Sequence, residues 1–177
     1  MERAEEHNVM IRQATAADFD AWVDLYIAVA DEGRWIGAES PVDRESRRLV
    51  FERYQNSNAG VILIAEIAGQ LRGNLSLELS HGITELGMIV EQGWRGQGIG
   101  TQLLEAGISW GSEHGAHKVT LTVWPHNRSA IALYRKFGFV EEGLLRRHYR
   151  RRSGALWDAI AMGLVLDLES PGAPDDL

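Results

Sequence analysis

Apolar residues along this chain recur with two spacings, every three to four positions or every second position, and the changes between them mark out its elements. Residues 9–14 read as a short strand, and Thr15 with Asp18 three positions on has the form of a capping box opening a helix. Phe19, Trp22, Leu25, Tyr26 and Val29 recur at helical spacing, a stripe read as core packing. A loop over 31–40 holds Arg34, Trp35 and two glycines before Pro41, and a second helix is predicted over 43–54. Strand-like runs at 61–67 and 71–79 flank Ala68-Gly69-Gln70 and predict a hairpin. Residues 84–90 form the next strand, which runs into the glycine-rich stretch EQGWRGQGIGT, residues 91–101.

Beyond the glycines, Ile99, Leu103, Gly107 and Trp110 fall on one side of a helix that stops near His114-Gly115. Residues 118–123 are strand-like and Pro125 ends them. A short helix starts at Asn127 or Ser129 and ends at Gly138. Two last strands, 143–151 and 156–166, are joined through Ser153-Gly154. The order β-α-α-β-β-β-α-β-α-β-β is that of a mixed α/β protein. No repeat or long linker divides it, so residues 9–168 are expected to form one domain, with 1–8 and 169–177 as flexible ends.

Composition narrows the function. With 45% hydrophobic residues in 177, the chain is an ordinary soluble length for one core. Its apolar runs, residues 61–65 among them, are far short of a membrane span, and MERAEEHN has no apolar signal region, so a cytoplasmic protein is expected. A net charge of −7 speaks against a nucleic-acid binder. The basic cluster Arg146, Arg147, His148, Arg150, Arg151 and Arg152 reads as a solvated hairpin face, with a patch for phosphates or an acidic acceptor as the alternative. Cysteine is absent, which excludes disulfides, thiolate metal sites and a cysteine nucleophile.

The glycine stretch carries the chemistry. It lies at a strand-to-helix junction, where Gly96, Gly98 and Gly100 let the backbone approach a ligand and the first turn of the helix offers unpaired N–H groups to an anion. Arg95 places a charge beside them. A P-loop is excluded because no Lys-Ser or Lys-Thr pair follows, and the glycine spacing does not fit G-x-G-x-x-G.

Arg95, Gly98 and Gly100 instead fill the fixed positions of [QR]-x-x-G-x-[GA], the signature loop of the GNAT superfamily of N-acetyltransferases, which this stretch resembles. NRSAIALYRKFGF, residues 127–139, resembles the family's second signature through Asn127, Ala130, Tyr134, Gly138 and Phe139. The likeness spans roughly residues 9 to 166. It implies a GNAT fold: a central, mostly antiparallel sheet of about seven strands, splayed at an acetyl-coenzyme A site and flanked by about four helices.

The resemblance also implies roles. Met88 and Val90, with Ile89 between them, would pair through their backbones with the pantetheine arm, as an added strand does. The N–H groups of Arg95, Gly96, Gln97, Gly98, Ile99, Gly100 and Thr101 would hold the pyrophosphate. Tyr134 would be the general acid, and Asn127 would bond the pantetheine or serve only as a turn residue or helix cap. Glu85 matches a glutamate of phosphinothricin-type acetyltransferases and is the candidate base, against a plain structural carboxylate. Burial beside Leu86 and Ile83 is expected to raise its pKa toward the useful range, and the role needs a β-bulge to turn it toward Met88 and Val90.

Other acceptor-side expectations are coarser. Thr122 stands where some enzymes acting on protein N-termini carry a glutamate, which weakens that reading. His81, His126 and Glu78 are secondary base candidates, and Asp158 either orients the substrate ammonium or pairs with the nearby arginines. No H-E-x-x-H pattern is present and acetyl transfer needs no metal. With no cysteine to carry the acetyl group, direct transfer in a ternary complex is expected. The branch resembled is that of the phosphinothricin and L-amino acid N-acetyltransferases, so the expected acceptor is a small-molecule primary amine. The rivals are a protein N-terminal or lysine amine and a module that binds acyl-coenzyme A without turnover. No nucleic-acid or membrane partner is expected, and a homodimer is a family-level expectation.

Overall fold

The computed structural model describes residues 8–166, so the expectations for 1–7 and for the tail at 169–177 lie outside the described residues. Seven strands and four helices follow the predicted order: β1 (Met10–Gln13), α1 (Phe19–Asp31), α2 (Arg44–Gln55), β2 (Gly60–Ile67), β3 (Gln70–Ser80), β4 (Ile83–Val90), α3 (Ile99–Glu113), β5 (Lys118–Val123), α4 (Arg128–Lys136), β6 (Val140–Arg150) and β7 (Leu156–Val165). The Thr15–Asp18 capping box forms, but it opens a 3₁₀ turn over Ala16–Asp18 that leads into α1. Asp43 caps α2 by accepting from the N–H groups of Glu45 and Ser46. The sixth strand begins at Val140 and so includes Glu141 and Glu142.

The strands form one sheet in the order β1-β2-β3-β4-β5-β7-β6. Every neighbouring pair is antiparallel except β4–β5. That pair is also the shortest in register: Ile83 faces Lys118, Thr84 faces Val119, Glu85 faces Thr120, and pairing stops there. On its other side β4 stays bonded to β3 as far as Val90, and β5 stays bonded to β7 as far as Val123. The two strands are therefore held apart by their outer neighbours, and the sheet opens between residues 86–90 and 121–123.

Each face of the sheet has its own core. Leu75, Leu77 and Leu86 pack beneath Ile99, Leu103 and Leu104 of α3 and Ile131 and Tyr134 of α4. On the opposite face Ile62 and Ile64 pack against Phe19, Trp22 and Phe51, while Ile89 meets Leu25 and Val29 of α1. Strand alternation sets this division, because successive side chains of β4 point to opposite faces. Thr84 and Leu86 are buried on the α3 side and Ile89 on the α1 side.

Two expectations for β4 fail. The β3–β4 register runs unbroken from Ser80↔Ile83 to Gly73↔Val90, so β4 has no bulge; the irregularity nearby lies in β2, between Ala65 and Glu66. Glu85 is exposed, so the burial expected to tune it is not built. Alternation keeps it on the α1–α2 face, away from Met88.

Candidate functional site

Where β4 and β5 part, a cavity of about 800 Å³ passes through the sheet. Its walls come from both faces. Met88, Tyr134, Leu133 and the glycine loop line one part, while Trp22, Tyr26, Arg47, Asn74, Glu85 and Gly87 line the other. The gap explains why Glu85 needs no bulge to reach the site: a hole in the sheet gives residues of opposite faces one shared space.

The glycine loop is shaped by residues that leave the ordinary backbone regions. Gly98 is the N-cap of α3 and has φ 84°, and Gly96 has φ 77°, a left-handed region in which a Cβ is penalised. The first bond of α3 runs from the Gln102 N–H to the Gly98 carbonyl, at 3.2 Å. The N–H groups of Ile99, Gly100 and Thr101 thus precede the helical ladder and sit at the positive end of its dipole. This cradle fits a pyrophosphate. The open edge of β4 beside it, at Met88 and Val90, fits an extended arm bearing amides.

Arg95 does something the sequence did not reveal. Its guanidinium makes a forked pair with Glu32, Nη1 to Oε2 at 2.8 Å and Nη2 to Oε1 at 2.5 Å, and its Nε donates to the Val90 carbonyl at 2.9 Å. Glu32 also accepts from the Trp35 indole at 2.6 Å, and the Arg95 guanidinium lies 5.5 Å from the Trp35 ring centroid. The Arg95 hydrogen bonds, opposed by partial burial and helped by Trp35, hold the Glu32 carboxyl below the usual range.

Tyr134 lines the cavity and is 6% exposed, and burial pushes its phenol up to about 12. It is therefore a proton donor across the neutral range. Asn127 is the N-cap of α4: its Oδ1 accepts from the Ala130 N–H at 3.3 Å and from Ser129 Oγ at 3.2 Å. The capping role considered for it is thus made, and it also borders the cavity.

Of the residues expected in the site, Glu85, Met88, Ile89, Val90, Arg95, Gly96, Gly98, Gly100, Thr101, Asn127 and Tyr134 border the cavity. Gln97 and Ile99 do not: Gln97 Nε2 donates to the Gly93 carbonyl at 3.0 Å, and Ile99 is buried in the core. The secondary base candidates are occupied elsewhere. His81 contacts Ser80 in the β3–β4 turn, Glu78 pairs with Arg53, and His126 contacts the Arg34 carbonyl. Asp158 accepts from the backbone N–H of Arg147 at 2.7 Å, a bond that closes an irregular part of the β6–β7 ladder.

The acceptor side is mostly new. Trp22 and Tyr26, read as core, stack on each other at 5.9 Å and both border the cavity. Thr122 contacts the Tyr149 hydroxyl at 3.2 Å on the same wall. On the floor, Asn74 is 5% exposed and its amide nitrogen has no hydrogen-bond partner among the described residues.

Loop 32–41 closes one side and is fastened from beyond the sheet by a member of the basic cluster. Arg151 is 4% exposed and donates to the carbonyls of Gly33, Ile36 and Gly37 at 3.1–3.2 Å, while its guanidinium lies 4.4 Å from the Trp157 ring centroid. Arg152 bonds Glu39, Ser40 and Pro41. Arg146, Arg147, His148 and Arg150 are exposed, as a solvated face requires. Neither a membrane-crossing helix nor a metal-binding group of side chains occurs among the described residues.

Comparison with known proteins agrees with this geometry. The model of the acetyltransferase (GNAT) family matches residues 22–139. The chain is 28% identical over 163 residues to an L-methionine sulfoximine/L-methionine sulfone acetyltransferase of Pseudomonas paraeruginosa, covering 89% of this chain and 94% of that one. It is 30% identical to an L-amino acid N-acetyltransferase of Escherichia coli, covering 89% and 98%. Among solved structures, the Salmonella typhimurium protein yncA with its cofactor acetyl-CoA superposes with a TM-score of 0.82 at 25% identity, over 96% of this chain and 99% of that one. A ribosomal-protein-alanine N-acetyltransferase of Brucella melitensis superposes with the same TM-score, 0.82, at 30% identity, over 89% and 99%.

Proposed function

The chain belongs to the acetyltransferase (GNAT) family and is an acetyl-CoA-dependent enzyme, and from that premise we propose that it acetylates the primary amine of a small molecule, an amino acid or an analogue of one. The observation that carries the reading is the cavity through the β4–β5 gap, which joins the glycine cradle and Tyr134 to a small, aromatic-walled chamber. The names of the amino-acid-acetylating relatives support the acceptor class.

Acetyl-CoA supplies an activated thioester. The glycine loop would hold its pyrophosphate through the N–H groups of residues 95–101, and β4 would align its amide arm along the gap. The amine attacks only when neutral, and Glu85, exposed at the end of the β4–β5 pairing, would take up its proton directly or through water. Tyr134 would donate to the leaving sulfur from inside the gap. No cysteine is available for an acetyl-enzyme, so transfer is direct, with both substrates bound together.

The test is thiol release from acetyl-CoA against free amino acids, methionine sulfone, phosphinothricin-like analogues, polyamines, aminoglycosides and short peptides. Turnover with amino acids or their analogues supports the proposal. Turnover confined to peptides would move the acceptor to a protein N-terminus, the reading favoured by likeness to the Brucella melitensis enzyme. Acetyl-CoA binding without turnover on any amine would remove the enzymatic reading.

A further inference from the structure

Among the described residues, three charged side chains border the cavity: Arg47, Glu85 and Arg95. Arg95 is neutralised by its two bonds to Glu32. The other two have no ionic partner among the described residues, and they stand on different walls, Arg47 on α2 and Glu85 on the sheet.

Arg47 differs from its neighbours on the same helix. Arg44 pairs with Asp20 and Asp24, Arg48 with Glu45, and Arg53 with Glu78. Arg47 forms no such pair. It is half-buried, with its guanidinium 4.8 Å from the Tyr26 ring centroid, and Tyr26 is itself stacked on Trp22. A guanidinium laid on an aromatic face keeps the edge of its planar fork for a carboxylate.

We propose that Arg47 reads the carboxylate of the acceptor, so that the preferred substrate is a zwitterionic amino acid. Its amino group lies toward Glu85 at the mouth of the gap and its carboxylate lies on Arg47. The inference rests on the proposed acetyl transfer and adds what that reading leaves open, the feature of the amine that is selected. One wall cation and one wall anion suit a molecule carrying both charges. A polyamine would set a positive charge against Arg47, and a neutral amine would leave that arginine unused.

The experiment measures kcat/KM by thiol release for L-methionine, L-methionine sulfone and L-glutamate, each beside its α-amide and compared at equal concentrations of free base. The expected result is a preference for the carboxylate of about 10- to 100-fold, as for hydrogen bonds to a charged group at a partly exposed site. Arg47→Gln should close the gap between each acid and its amide while leaving acetyl-CoA affinity unchanged, and Arg47→Lys should restore part of the preference.

Equal rates for acid and amide in the unmodified enzyme overturn the proposal without requiring any variant to fold. A preference that survives in Arg47→Gln overturns it as well, as does a best acceptor that lacks a carboxylate; in these cases acetyl transfer itself stands. If acetyl-CoA binds and no amine of any class is acetylated, the proposed function fails and this inference fails with it.

Discussion

Glu32 and Arg95, 63 positions apart in the chain, meet in a forked ion pair that ties the acceptor-side loop to the glycine loop. One member ends α1 and the other stands in the family's signature, so the loop after α1 and the glycine loop are mechanically joined. Glu32→Gln removes the charge and keeps the shape. We expect both a weaker acetyl-CoA affinity and a higher KM for the amine, with a stability loss of about 1–2 kcal/mol.

The same pair predicts a pH dependence. Because the Glu32 carboxyl is held below its usual range in the folded protein, its contribution is fully present above the ordinary carboxylate range and is lost as pH falls through the lowered folded value. Denaturant melts of the wild type and Glu32→Gln should therefore differ by a constant amount at neutral pH and converge in acid. A difference that persists unchanged in strong acid would show that the pair is not the source.

Tyr134→Phe removes a hydroxyl without changing the packing against Phe139, whose ring centroid lies 5.6 Å away. Turnover should fall by about 100-fold or more, with acetyl-CoA affinity nearly intact. With the phenol raised to about 12, the donor form persists through neutral pH, so deprotonation of Tyr134 should not limit the rate below about pH 10. Normal turnover in the variant would take the acid role away from Tyr134.

Glu85→Gln should lower kcat/KM by about 10- to 100-fold. Acetyl-CoA binding should not change, since Glu85 lies at the end of the β4–β5 pairing rather than on the glycine loop. An unchanged kcat/KM would transfer the proton to a water chain.

Arg151→Met leaves three loop carbonyls without their donor and Glu39 without its cation. The cost should be about 1–3 kcal/mol, read as a lower Tm, because three carbonyls of exposed or partly buried loop residues lose a charged donor. Lysine should rescue it only in part, since a single nitrogen cannot reproduce bonds that come from both Nη1 and Nη2 of the guanidinium. Surviving activity should show a raised KM for the amine before any loss of acetyl-CoA affinity.

Hydrophobic spacing and turn chemistry were enough to order the strands and helices, because both act over a few residues. Local rules also placed the Thr15–Asp18 capping box, and two short signatures led to the glycine cradle and to Tyr134. What only the tertiary structure decided were relationships across long separations. The early end of β4–β5 pairing opened the sheet and brought Glu85 into the cavity from the opposite face without a bulge. Contacts spanning over a hundred positions carried Arg151 to loop 32–41 and separated it from a cluster that reads as uniformly solvated. The free charge of Arg47 was equally hidden, since in RESRRLVFERYQ its neighbours look the same and only packing shows which of them met a carboxylate. Backbone preference and side-chain period are properties of short stretches, whereas burial and charge pairing belong to surfaces that exist only once distant segments have met.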